Sequence, residues 1–302
     1  MKQHRFFNLH TILLLFTLPL ILYYIYDQLQ DGWEKLGPYK WSLNVHYLLL
    51  AVFTAIFYFA LGAWIWGRVL SYLGSELGFW KSFRILQIAQ LGKYLPGRIW
   101  AIGGQLYLGE QEGIASRTLI WATGLHWFFN LLTGAIIFLP YFYVLAPRWV
   151  AGSVTLTLLL LLGLVCFPRR IPRLLSRWFY LGNSEKPPFG LPSLSASQIL
   201  RIVLSFFLAW ALFGFAFWFL INVFMELSFG AYYEVLASFC GAWVLGAVSF
   251  FTPAGLGVRE GALVYLLGQF LLPSMAVIIS IAARLWITVV ELICAGVAWL
   301  IQ

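Results

Sequence analysis

The sequence is short of charge. Of its 302 residues only 10% are charged while 62% are hydrophobic, and the mean hydropathy is +0.87. A soluble domain and a disordered chain both need far more polar surface, so both are excluded. Cysteine is scarce too: Cys166, Cys240 and Cys294 lie far apart in apolar surroundings, which gives neither a disulfide framework nor a thiolate metal set. His4, His10, His46 and His126 show no zinc-ligand spacing, so neither a metal nor a cofactor is expected. The chain also lacks a nucleophile elbow, a phosphate-binding loop, a zinc-protease helix motif and a dinucleotide fingerprint. An enzyme is therefore not expected.

What is present is a series of long apolar runs separated by short basic loops. The net charge of +8 falls in those loops, where it reads as a topology signal, and nucleic acid is not an expected partner. Spans are predicted at 11–26, 47–66, 119–145, 150–167, 199–224 and 275–300. No small-residue cleavage site follows the first run, so it is expected to stay as a span. Arg169, Arg170, Arg173, Arg177 and Lys186 make the most basic loop, which the positive-inside rule puts in the cytoplasm together with both termini. The cytoplasmic (inner) membrane is the expected location.

Two further apolar stretches are broken. Between 235–249 and 262–272 the chain reads FFTPAGLGVREG, with Pro253, Gly255 and Gly257 as breaks and Arg259–Glu260 beside them. Proline removes a backbone donor and glycine admits positive φ, so one straight helix is not expected. The arms are shorter than the roughly 20 residues that span a bilayer, which suggests a re-entrant hairpin; a polar loop between short spans is the alternative. Residues 86–109 are broken at Gly92, Pro96–Gly97 and Gly103–Gly104 and carry Lys93 and Arg98. They suggest a second hairpin, with a surface-lying amphipathic helix as the alternative. Residues 72–80 are predicted to be an interfacial connector.

These stretches hide a duplication. Pro96 lies 50 residues after His46 and Pro253 lies 54 after Ile199; His126 follows Pro96 by 30 and Arg284 follows Pro253 by 31. The expected architecture is a single polytopic domain over 1–302, all-α, with about six transmembrane helices plus two re-entrant broken-helix hairpins. Residues 46–145 form a first repeat and 199–300 a second, inverted one, with a site at their interface.

The charges predicted inside the membrane are Lys93, Arg98, Arg259, Glu260, Arg284 and Glu291, four cations and two anions. Such an excess suits an anionic lipid headgroup, because arginine's planar fork matches phosphate; snorkelling to lipid headgroups is the alternative. Arg284 and Glu291 are seven apart, on one helix face but about 10 Å apart along the axis, so their partners are expected from the hairpins. His126 and Asn130 lie one turn apart and read as polar contacts between helices.

SFFTPAGLGVREGALVYLL (249–267) resembles the second signature of the lysylphosphatidylglycerol synthase transmembrane family, the flippase-like membrane domain. GKYLPGRIW (92–100) is similar to its first signature and IAARLWITVVELICAG (281–296) to its final arginine-bearing helix. The resemblance runs from about residue 83 to 300 and implies Arg259, Glu260, Pro96 and Gly97 as motif positions. It implies a lipid flippase or transporter moving an anionic phospholipid or lipid-linked glycan precursor between leaflets. A non-transporting membrane scaffold for a glycosyltransferase and a membrane-embedded lipid transferase stay open. The partners implied are membrane lipids with anionic headgroups, then a glycosyltransferase or polysaccharide-assembly proteins.

Overall fold

The computed structural model describes residues 43–94, 99–166, 194–248 and 257–301. The predicted span 11–26, the basic loop 169–186, Arg98, and the breaks at Pro96, Gly97, Pro253 and Gly255 lie outside the described residues. Among the described residues there are nine α-helices and no strand. They are α1 (Val45–Tyr72), α2 (Phe79–Gln90), α3 (Ile99–Gln111), α4 (Ser116–Leu145), α5 (Arg148–Cys166), α6 (Ala196–Phe224), α7 (Tyr232–Val248), α8 (Val258–Leu267) and α9 (Pro273–Leu300).

Local chemistry sets the helix starts. The Asn44 side chain accepts from the His46 N–H at 3.2 Å to open α1. Ser195 and Gln198 form a reciprocal capping box on α6. Pro273 opens α9 at a position where a missing N–H costs nothing. After α1 and α3 the chain turns through Gly74 (φ 85°) and Gly113 (φ 80°).

Helix lengths range from 10 to 30 residues. α1, α4, α6 and α9 have 28–30 residues, about 42–45 Å, which exceeds a bilayer core of about 30 Å. α2, α3 and α8 have 12, 13 and 10 residues, too few to cross. Five stretches are long and apolar enough to span: the four long helices and Phe229–Val248, which comprises α7 and the 3-10 turn before it. The chain is an all-α, multi-pass membrane protein.

α1 and α6 form the most extensive helix pair, and they run antiparallel. Asn44 N–H donates to the Val223 carbonyl at 3.0 Å, Tyr47 meets Trp218 and Phe219, and Tyr58 meets Trp210 and Phe213. Ala51, Ala55 and Ala63, all at multiples of four, put a small-residue stripe on the buried face of α1 and let the backbones approach. On the opposite faces Leu49, Phe53 and Phe57 of α1 and Leu200, Leu204 and Leu208 of α6 are exposed, as lipid contact requires.

α2 packs on α3, and α7 packs on α8. Gly103–Gly104, expected as a break, lies inside α3. A Cβ on Gly104 would stand 3.2 Å from the Ala89 side chain, so this glycine serves close packing of the two arms. The first arm starts at Phe79, inside the stretch predicted as a connector. Its open end is tied by Glu112, which pairs with Lys81 at 2.7 Å and Arg84 at 3.5 Å. α2 also packs on α9, and α7 packs on α4.

Candidate functional site

α9 carries a polar stripe, Arg284, Thr288 and Glu291, at spacings of four and three that place all three on one face. Glu291 is only 3% exposed. Among the described residues its carboxylate takes its partners from the end of α2 and the 3-10 turn that follows. Gln90 donates to Oε1 at 3.0 Å, Lys93 forms an ion pair with the same oxygen, and the Tyr94 hydroxyl donates to Oε2 at 2.6 Å. Tyr94 also lies 3.2 Å from the Thr288 hydroxyl, which itself donates to the Arg284 carbonyl at 2.9 Å. Three donors on one buried carboxylate fix the 3-10 turn Leu91–Tyr94 against α9. That turn approaches α3 closely: a Cβ on Gly92 would fall 2.7 Å from the Trp100 carbonyl carbon.

Two turns back along α9, Arg284 faces α8. Gly257 takes φ 81°, a conformation open to glycine, and its N–H donates to Glu260 Oε2 at 2.8 Å. The other Glu260 oxygen lies 3.6 Å from Arg284 Nη1, an ion pair longer than a hydrogen bond. Ser280 Oγ donates to the Glu260 carbonyl at 3.2 Å and ties α9 to the first turn of α8. Glu291 thus takes its partners from the end of α2 and the turn after it, and Arg284 takes Glu260 from the first turn of α8.

Arg259 differs from both. Among the described residues no carboxylate lies within ion-pairing distance of its guanidinium. It rests instead on the Phe239 ring of α7, 4.9 Å from the centroid. Its stem passes Gly246, where a Cβ would sit 2.9 Å from the Arg259 Cβ. Arg259 interacts electrostatically with Arg284, Glu260 and Glu291, and Lys93 does so with Glu291, Arg284 and Arg259. The five charges therefore form one cluster.

Of the residues singled out in the sequence, Lys93, Arg259, Glu260, Arg284 and Glu291 are brought together. The Asn130 carbonyl accepts from Trp210 Nε1 at 3.2 Å, and Tyr58, which packs on the same Trp210, interacts with Arg259 and Glu291. His126 is not among these charges; its ring sits edge-on to Phe206 at 5.0 Å, with Nδ1 lacking a hydrogen-bond partner among the described residues. Gln90, Tyr94, Thr288, Tyr58 and Phe239 join the site without having been singled out. Only Thr288 had a readable signal, as the polar residue between Arg284 and Glu291 on one face.

Long apolar helices enclosing three cations and two carboxylates define a polytopic membrane protein with a buried charged centre. The chain belongs to the lysylphosphatidylglycerol synthase TM region family, whose profile matches residues 9–295. A comparison with curated protein sequences gives no significant match.

Proposed function

We propose that the chain is a transporter and not an enzyme: a lipid flippase moving an anionic phospholipid or a lipid-linked glycan precursor between leaflets of the cytoplasmic membrane. Both termini face the cytoplasm in this reading. Arg259 is the observation that carries it. A half-buried guanidinium of α8 that rests on α7, with no carboxylate of the described residues within ion-pairing distance, is costly at membrane depth unless an anion comes to it. Phosphate matches its planar fork.

The packing supports residues 46–145 and 199–300 as inverted repeats about that site. Their first helices, α1 and α6, run antiparallel, and the contact of α2 with α9 has its counterpart in that of α7 with α4. The lipid headgroup is the proposed partner at the cluster, and a glycosyltransferase or polysaccharide-assembly protein the proposed partner for its product. Mass spectrometry of lipids retained on the purified protein tests this. Wild type should retain an anionic lipid that Arg259→Gln loses while keeping its elution profile. Equal retention by both, with no anionic enrichment, would favour the scaffold reading.

A further inference from the structure

We infer that the site is matched to a headgroup carrying a single negative charge, and that Glu260 and Glu291 set this selectivity without touching the lipid. This rests on the anion-site reading above and narrows it. Among the described residues the cluster holds Lys93, Arg259 and Arg284 against Glu260 and Glu291, three positive charges and two negative, for a net charge of +1.

The charges are not equivalent. Lys93 is committed to Glu291, whose two oxygens are also held by Gln90 and Tyr94. Arg284 faces Glu260, whose other oxygen is fixed by the Gly257 N–H and whose carbonyl is held by Ser280. Both pairs are neutral and both join a hairpin region to α9. Among the described residues Arg259 alone is left to meet a ligand, braced by Phe239 and by the close crossing at Gly246. A singly charged phosphodiester leaves the cluster neutral. A dianionic phosphomonoester leaves one negative charge unmatched beside two carboxylates, and a zwitterion brings a second cation to an already positive site. In a low-dielectric interior either mismatch is costly. Lys93 and Arg284 are then positioning residues, with Arg259 as the headgroup ligand.

Two short-chain probes that differ by one methyl group separate these cases: phosphatidylmethanol, a monoanion at all pH values used, and phosphatidic acid, whose second ionisation falls near neutral pH. Short-chain phosphatidylcholine serves as the zwitterion. Displacement of a fluorescent phosphatidylglycerol from the purified full chain at pH 8.5 should rank phosphatidylmethanol about tenfold or more ahead of the other two, a step of about 1.4 kcal/mol. On lowering the pH to 6, phosphatidic acid should gain on phosphatidylmethanol as it becomes a monoanion. Glu260→Gln raises the net charge to +2 and should shift preference at pH 8.5 toward phosphatidic acid; Glu291→Gln should do the same. The wild-type pH series needs no variant, so a misfolded mutant does not remove the test. Phosphatidic acid binding as tightly as phosphatidylmethanol at pH 8.5, or a ratio unmoved in a folded Glu260→Gln protein, would overturn the inference while leaving the anion site standing. Failure of every probe to bind would overturn both.

Discussion

Replacing Lys93 by Gln tests how the first hairpin region is held. Glu291 is 3% exposed and the Lys93 side chain 27%, so the variant strands a buried carboxylate whose chief counter-charge is gone. Removing one partner of a buried pair costs about 3–5 kcal/mol, and the surviving hydrogen bonds from Gln90 and Tyr94 put this case near the lower end. Glu291→Gln is milder. It leaves a partly exposed ammonium that can reach other polar groups, and it keeps an oxygen to accept from Tyr94, for a cost of about 1–2 kcal/mol. The double variant removes both charges, so it should resemble Glu291→Gln alone. Singles costing about 3 and 1–2 kcal/mol with a double near 1–2 give a coupling of about 3 kcal/mol. Equilibrium unfolding of the purified protein in detergent, followed by tryptophan fluorescence, measures all four corners of the cycle. Additivity within about 0.5 kcal/mol would mean that Lys93 and Glu291 do not depend on one another, and would refute the reasoning.

The glycines of the first hairpin region should separate sharply in the same unfolding measurement. Gly92→Ala puts a Cβ 2.7 Å from backbone and should cost about 2 kcal/mol or more, whereas Gly103→Ala meets nothing within 4 Å and should stabilise α3 by about 0.5–1 kcal/mol; equal effects would deny the close crossing. Phe239→Leu removes the ring beneath Arg259 and should weaken binding of anionic phospholipid by about 0.5–2 kcal/mol, with unchanged affinity counting against that contact. Single cysteines at Ser176 and Ser228, in a background without the native three, should label from opposite sides of the membrane. Labelling from one side would remove the inverted-repeat proposal.

The long helices are legible because apolar length is a strong signal. The predicted spans 119–145, 199–224 and 275–300 differ from α4, α6 and α9 by no more than three residues at any end. Arm boundaries are harder to read. Lys81 and Arg84 make the start of α2 look interfacial, and only the folded chain shows Glu112 returning to pair with them. Gly103–Gly104 reads as a break because glycine weakens helices, yet close approach to Ala89 offsets that weakness at Gly104. At the site, the spacing of Arg284 and Glu291 already implied two separate partners, and an intramembrane charge is conspicuous in so apolar a chain. Tyr94, Gln90 and Phe239 carry no such mark. Aromatic residues make up 19% of the sequence, and which of them meets Glu291 or Arg259 is decided by how α2, α7 and α8 dock against their neighbours.

The central claim is that Arg259 receives the headgroup of a lipid in transit. Its most direct test is translocation of NBD-labelled phosphatidylglycerol in vesicles reconstituted with purified protein, read by protection from dithionite. Wild type should move the lipid, Arg259→Gln should be slower by about tenfold or more, as expected for losing a charge-assisted hydrogen bond of 1.5–3 kcal/mol, and Arg259→Lys should fall between. A folded Arg259→Gln protein that translocates at the wild-type rate would contradict the account.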